Sequence, residues 1–140
     1  MAWEYDVTTH TFTRNGEKYK ADYAGATGYK NDSSRECVSG KGPLPRGTYT
    51  IGSPHNSAHT GKYTLNLTPN LSNAMCGRSA FRIHGASKKH PLDSLEGCII
   101  ASISVRKSIW ASYFYNLSCR YGCTNGRFWI QLLPRRSIYY

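Results

Sequence analysis

The sequence lacks any long apolar run. Its longest unbroken stretch of apolar side chains covers four residues, 98–101, in a chain of 140, whereas a helix that crosses a bilayer needs about 20. A membrane span is therefore excluded. Residues 1–6 have neither a basic segment nor an apolar stretch, so we expect no secretory signal peptide there. Such a protein either stays inside the cell or is exported by another machine.

Acidic side chains are scarce. Eight Asp and Glu stand against 18 Lys and Arg, which gives a net charge of +10 and a field that attracts polyanions. The cations are spread along the chain, and only Lys88-Lys89 and Arg135-Arg136 form adjacent pairs. Because nucleic-acid sites cluster their cations on one face or helix, we expect no nucleic-acid partner.

Aromatic and β-branched residues predict one mostly β domain over residues 1–140. Residues 3–24 have the pattern of a β-hairpin around the favoured turn pair Asn15-Gly16. Residues 25–47 are rich in Gly, Ser, Asn and Pro, which indicates a long surface connection. Four more strands are predicted, at 48–51, 63–67, 80–84 and 128–133, with a polar loop holding His55 and His59 between the first two.

A single substantial helix is predicted over residues 101–115. Four residues recur there at helical spacing, namely Ile103, Lys107, Trp110 and Phe114. Ser102 or Ser104 could cap the first turn. The fold class is therefore mostly β, or α+β, with one helix.

The five cysteines are an odd number, so at least one thiol stays free. Cys37 and Cys76 lie in predicted loops and could form a disulfide. Cys119 and Cys123 could form another, or remain inert thiols, in the turn after the helix. This leaves Cys98 as the thiol of interest. The short pair has no nearby histidine, which disfavours zinc, and we expect neither a metal nor another cofactor.

Cys98 follows a glycine and directly precedes the predicted helix, and His84 ends a predicted strand. A neighbouring imidazole or a helix amino terminus supplies thiolate by lowering the pKa of a cysteine. Backbone N–H groups around residues 97–99 could bind an oxyanion. The alternative is a buried structural cysteine, a common role for this residue, but Gly97 and His84 favour a nucleophile.

All five histidines precede Cys98 in the chain. Papain-like folds place the histidine after the nucleophile, so they are excluded if Cys98 is catalytic. His90, next to Pro91, is a competing base. His84 is the better candidate because it has the strand context and is followed by Gly85.

Three segments together resemble an L,D-transpeptidase catalytic domain, and more closely the small type VI secretion effectors of that class. They are residues 42–51 (GPLPRGTYTI), 81–85 (FRIHG) and 96–99 (EGCI), and the resemblance covers about residues 40–105. It implies an L,D-transpeptidase-like β-sandwich with one substantial helix after the catalytic cysteine.

The resemblance also implies roles for individual residues. Cys98 matches the nucleophile, His84 the base, and Gly85 the residue whose carbonyl orients the imidazole. Substrate contacts are expected from Arg82, Ser94, Gly97 and Ile99. The wall-building enzymes have Ser or Thr, then His, then Gly before the cysteine, and Arg or Asn two residues after it. Here Leu95, Glu96 and Gly97 precede Cys98, with Ser94 one place early, and Ile100 follows.

The activity implied is attack on the peptidoglycan stem amide before the terminal D-alanine, followed by hydrolysis or transfer to an amine. The partners implied are stem peptides, the secretion apparatus and a cognate immunity protein. We expect a monomer that is secreted without a signal peptide and acts in the periplasm of a target bacterium. Two alternatives stay open: a non-catalytic basic module that binds cell wall or nucleic acid, and another peptidase with histidine before cysteine.

Overall fold

The computed structural model describes residues 2–86 and 97–122. Their secondary structure is dominated by strands, with one α-helix, α1 (Ile103–Ala111), and a short 3-10 turn at Ser33–Arg35. The strands are β1 (Trp3–Asp6), β2 (Thr11–Arg14), β3 (Glu17–Lys20), β4 (Tyr23–Ala24), β5 (Gly47–Ile51), β6 (His55–Ser57), β7 (Gly61–Pro69), β8 (Phe81–His84), β9 (Ile99–Ile100) and β10 (Asn116–Arg120). The predicted fold class is confirmed.

The predicted turn at Asn15-Gly16 joins β2 to β3. Both turn residues have positive φ, 48° and 87°, as a two-residue hairpin turn of the I′ type requires. Glycine and asparagine tolerate this conformation better than other residues do. β1 adds to the same hairpin by antiparallel pairing with β2, so the predicted two-stranded unit is a three-stranded meander.

The strands form one sheet in the order β3-β2-β1-β10-β5-β7-β8-β9-β4, with β6 paired to β7. β3 and β4 lie at opposite ends of this order, yet only Ala21 and Asp22 separate them in the chain. The three Cα–Cα steps from Lys20 to Tyr23 span at most about 11 Å, so the sheet must curl on itself. The apolar faces of the curled sheet enclose a core whose largest fully buried side chains include Trp3, Tyr5, Phe12, Tyr49, Phe81 and Leu117.

The helix is shorter than predicted. Ser102 caps its start by accepting a hydrogen bond from the Val105 N–H, as expected. Its end comes at Ala111 because the Ser112 hydroxyl bonds back to the Ile109 carbonyl and accepts from the Trp3 indole, and Tyr113 takes a positive φ of 63°.

The residues at helical spacing are not the ones that α1 buries. Ile103 is 44% exposed, and the buried helix residues are Arg106 and Ile109. Phe114 lies beyond the helix.

Three short strands were not predicted. β6 lies inside the predicted polar loop, and β9 and β10 flank the helix. β10 has only modest strand propensity, but it is held between β1 and β5, pairing parallel with the first and antiparallel with the second. The strand predicted at 128–133 lies outside the described residues. Within the described ranges, every helix is too short or too polar to cross a bilayer.

The disulfide expected of Cys37 and Cys76 and the inert state expected as one alternative for Cys119 are confirmed, but the placement of Cys119 in a turn is wrong. Cys37 and Cys76 form a disulfide. Cys119, however, lies in β10 rather than in a turn, and it is a buried free thiol. Cys98 is therefore not the only free cysteine among the described residues. Burial raises the pKa of the Cys119 thiol far above its usual range, which keeps it protonated and unreactive.

The disulfide is expected to contribute substantially to stability. Cys37 and Cys76 are 39 residues apart, and cross-linking a loop of that length is worth about 4 kcal/mol in the chain-entropy model. Replacing both residues with serine should lower the free energy of unfolding by about that amount in urea denaturation. A reductant should lower the stability of the wild type toward that of the variant and leave the variant unchanged. Equal sensitivity of the two proteins would contradict this.

Candidate active site

Parallel pairing of β8 with β9 brings the two candidate catalytic segments together. The register places Ile83 beside Ile99 and His84 beside Ile100. Cys98 directly precedes β9. Continuing the register by one residue sets Cys98 beside Arg82, which is two residues before His84 on β8.

The ring of His84 is held by its own neighbour in the chain. Nδ1 lies 2.8 Å from the carbonyl oxygen of Gly85. A carbonyl only accepts hydrogen bonds, so Nδ1 carries the proton. In the neutral ring Nε2 is then the nitrogen with a free lone pair. Nε2 is buried and has no hydrogen-bond partner in the structure's described portion, so it is available as a proton acceptor.

The surroundings of His84 favour its neutral form. The residue is 3% exposed, and burial is the main cause that lowers its pKa. The hydrogen bond to Gly85 acts in the opposite direction, and the charges of Arg106 and Arg82 add to the lowering. A buried imidazole flanked by cations is neutral at pH 7, as a base must be before it takes a proton.

Cys98 is held at the start of β9. It is 2% exposed, and its thiol lies 3.9 Å from the carbonyl oxygen of Ala80, to which it donates. Ala80 adopts a positive φ of 68°, an unusual backbone conformation for a residue with a Cβ. Ala80 directly precedes β8, so the residue with this unusual conformation is the one whose carbonyl accepts from the thiol.

Gly97 is required by close packing. Its φ is +90°, and a Cβ at this position would overlap the Gly42 carbonyl oxygen and lie 2.6 Å from Nη2 of Arg78. Any larger residue would push the backbone before Cys98 away from this contact. The substrate contact expected of Gly97 stays a prediction.

Arg78 is a residue whose importance was not predicted. It is 7% exposed and donates to three backbone carbonyls, those of Glu36, Gly42 and Pro43, at 2.6, 2.7 and 2.8 Å. Its neighbour Cys76 is joined to Cys37. The disulfide and the guanidinium therefore fasten the 36–43 loop beside Gly97. No motif marks Arg78, because its partners are backbone groups about 40 residues away.

The other predicted site residues differ in placement. Arg82 lies on β8 two residues before His84 and shares its face, and continuing the register by one residue sets it beside Cys98. Ile99 is fully buried in the core, so its side chain packs there rather than facing a substrate. His55 and His59 are exposed, as expected for a polar loop. Ser94 and His90 lie outside the described residues.

Comparison with known families identifies the class of this chain. A sequence model described as the Tlde1 domain matches residues 18–119, which is more than two thirds of the chain. The chain therefore belongs to the Tlde1-domain family, the type VI secretion L,D-transpeptidase effectors. This family implies delivery into target cells and modification of the peptidoglycan cell wall. Neither the curated proteins nor the solved structures include a match.

Replacing Gly97 by alanine should disrupt this packing more than a comparable change nearby. Gly77 also has a positive φ, +70°, but a Cβ there would meet nothing within 4 Å. We expect Gly77→Ala to lower the free energy of unfolding by about 1 kcal/mol, from backbone strain alone. Gly97→Ala should lower it by about 2 kcal/mol more, because neighbouring backbone must move. Equal losses in urea denaturation would contradict the packing described for Gly97.

Proposed function

We propose that this protein is a cysteine L,D-carboxypeptidase and L,D-transpeptidase that acts on peptidoglycan stem tetrapeptides through an acyl-enzyme. The observation that carries the proposal is the arrangement of His84. Its Nδ1 is fixed on the Gly85 carbonyl, its Nε2 is unpartnered within the described residues, and its strand pairs with β9, which Cys98 directly precedes. This is the triad logic of nucleophile, base and orienting group, with a main-chain carbonyl as the third member.

In the acylation step, Nε2 of His84 takes the proton from the Cys98 thiol. The thiolate attacks the carbonyl carbon of the third stem residue, commonly meso-diaminopimelate. The tetrahedral intermediate collapses, the amide C–N bond breaks, and His84 returns the proton to the amine of the leaving D-alanine. The products of this half-reaction are a thioester on Cys98 and free D-alanine.

In the second step, His84 takes a proton from the acceptor, and the acceptor attacks the thioester. Water as acceptor gives a tripeptide, and a free D-amino acid gives an exchanged tetrapeptide. The thiol leaves and regains its proton from His84. Only 13 residues separate His84 from Cys98 in the sequence, which is short for the family and implies a smaller cover over the site, so the proposal gives hydrolysis and exchange precedence over cross-linking.

Substrate contacts are assigned to the groups around the sulfur. The amides of Gly97 and Cys98 are the oxyanion donors of the proposal, since Ile99 is part of a strand paired on both sides. Arg82 is half-buried beside this position, and its guanidinium suits a stem carboxylate. Arg82 would take over the substrate contact of the Arg or Asn that the wall-building enzymes have two residues after the cysteine, where this chain has Ile100.

The biological setting is part of the proposal. The net charge of +10 would concentrate the protein on a wall rich in carboxylates and phosphates, an attraction that salt weakens. We place its action in the periplasm of a target bacterium after delivery by the secretion apparatus. The producing cell then needs an immunity protein that blocks the Cys98 site.

The direct test is incubation with a disaccharide tetrapeptide, with and without an added D-amino acid, followed by mass spectrometry. We expect loss of D-alanine, and an exchanged product when the D-amino acid is present. Cys98→Ala should abolish both reactions. His84→Gln should lower the rate about 100-fold or more, the usual contribution of a general base.

Matched variants control for the loss of a thiol or an imidazole as such. Cys119→Ala removes the other free thiol of the described residues, and His59→Gln removes an exposed imidazole. Both should keep wild-type activity. Turnover that survives Cys98→Ala would come from a contaminating enzyme. It would favour the alternative of a non-catalytic module that binds cell wall or nucleic acid. Cleavage of ordinary L-peptides, with none of stem peptides, would favour another peptidase.

The pH dependence should reflect the lowered pKa of His84. Because the base works in its neutral form, kcat/KM should hold at pH values below the ordinary histidine pKa of about 6.5 and fall only in more acidic solution. The charge of Arg82 contributes to the lowering. Arg82→Gln should therefore move the acid limb to higher pH, whereas Arg82→Lys should leave it nearly in place. An acid limb that is the same in all three proteins would contradict this assignment.

A further inference from the structure

A buried arginine on α1 joins three segments around the candidate base. Arg106 is 6% exposed. Its Nε donates to the carbonyls of Ala101 and Ser102 at 3.0 and 3.3 Å, and its Nη1 donates to those of Lys62 and Tyr63 at 2.7 and 3.0 Å. One guanidinium therefore links the connection between β9 and α1 to the beginning of β7.

The same guanidinium lies directly against the residue that orients the imidazole. A Cβ on Gly85 would stand 2.8 Å from Nη2 of Arg106, so the guanidinium fills the space that a side chain at position 85 would take. Ala101, whose carbonyl accepts from Arg106, donates its own N–H to the His84 carbonyl at 3.0 Å. The His84–Gly85 peptide group is thus linked to Arg106 through Ala101.

The charge of Arg106 is unusual for a purely structural residue. In the described part of the chain no carboxylate lies within ion-pair distance of it, and its partners are neutral carbonyls. Burying a cation without a counter-ion is unfavourable, and burial indeed lowers the pKa of Arg106. This charge favours the neutral form of His84, since it contributes to the lowering of the His84 pKa.

We propose that Arg106 is a positioning residue for the base: it fixes the His84–Gly85 peptide so that Nδ1 stays on the Gly85 carbonyl and the lone pair of Nε2 stays available for the proton of the Cys98 thiol. This inference rests on the proposed function in taking His84 as the base. It adds a residue eight positions after the nucleophile, on the helix, that does not touch the substrate.

The test combines kinetics with NMR titration of the His84 ring. The variants are Arg106→Gln, Arg106→Lys and Gly85→Ala. In Arg106→Gln we expect kcat to fall about tenfold or more with little change in KM, since a misplaced base slows the chemical step. The acid limb of kcat/KM and the His84 titration, the latter followed in a Cys98→Ala background, should both move to higher pH. Arg106→Lys should restore the titration.

Gly85→Ala keeps the test informative if Arg106→Gln does not fold. Gly85 has no positive φ, so alanine there perturbs only the contact with Nη2 of Arg106. Gly52→Ala is the matched control, because Gly52 likewise has no positive φ and its nearest neighbours would be 3.6 Å from a Cβ. We expect Gly85→Ala to lower kcat and Gly52→Ala to leave it unchanged.

The outcomes separate this inference from the function on which it rests. An inactive wild type would refute the function, while the His84 titration would still decide the role of Arg106. An active wild type with unchanged kcat in Arg106→Gln and Gly85→Ala would overturn the inference. A lowered kcat without any movement of the His84 titration would also overturn it, because that pattern indicates only structural support.

Discussion

The hydrogen bond from Nδ1 of His84 to the Gly85 carbonyl determines what the candidate site can do. It places the ring proton on one nitrogen and leaves the lone pair on the other, in a pocket that is nearly closed to water. Because the partner is a neutral carbonyl rather than a carboxylate, it orients the ring without strongly favouring the charged form. Burial and two nearby cations then lower the pKa of the imidazole, so that it is available as a base at neutral pH.

Two buried arginines pack in the same manner against glycines of this site. Arg78 lies where a Cβ of Gly97 would be, next to Cys98, and Arg106 lies where a Cβ of Gly85 would be, next to His84. Both donate to backbone carbonyls from distant parts of the chain. The chain has only eight acidic residues among 140, and these two arginines bond to backbone carbonyls rather than to carboxylates. Glycine is required at positions 97 and 85 because each guanidinium occupies the space of a Cβ, in addition to the roles proposed for these glycines in the chemistry.

Much of the fold was predictable from local signals. The Asn15-Gly16 turn and the strands β5, β7 and β8 follow from turn chemistry and β-branched runs, and Ser102 was recognised as a possible helix cap. β9 and β10 were missed because they are short and are stabilised by their neighbours in the sheet rather than by their own propensity. The burial of Arg106 on the helix could not be predicted, because a charged side chain is not expected at a buried position.

The residues of the candidate site likewise differ in whether the sequence alone could predict them. His84, Gly85, Gly97 and Cys98 could be selected from sequence because their residue types and order carry the chemistry of a thiol nucleophile. Arg78 and Arg106 could not, since each acts through backbone carbonyls far away in the chain. Ile99 was selected for its place beside the nucleophile, but its side chain belongs to the core. Cys119 is a buried thiol because it lies in β10, and no local pattern predicted that strand.

The central claim is that the imidazole of His84 withdraws the proton of the Cys98 thiol. The pH dependence of Cys98 alkylation by iodoacetamide, located by peptide mapping, measures this in the wild type and in His84→Gln. The account predicts that the wild-type thiol reacts well below the ordinary cysteine pKa of about 8.5 and that His84→Gln moves its reactivity back toward that value. Identical pH profiles for the two proteins would contradict it.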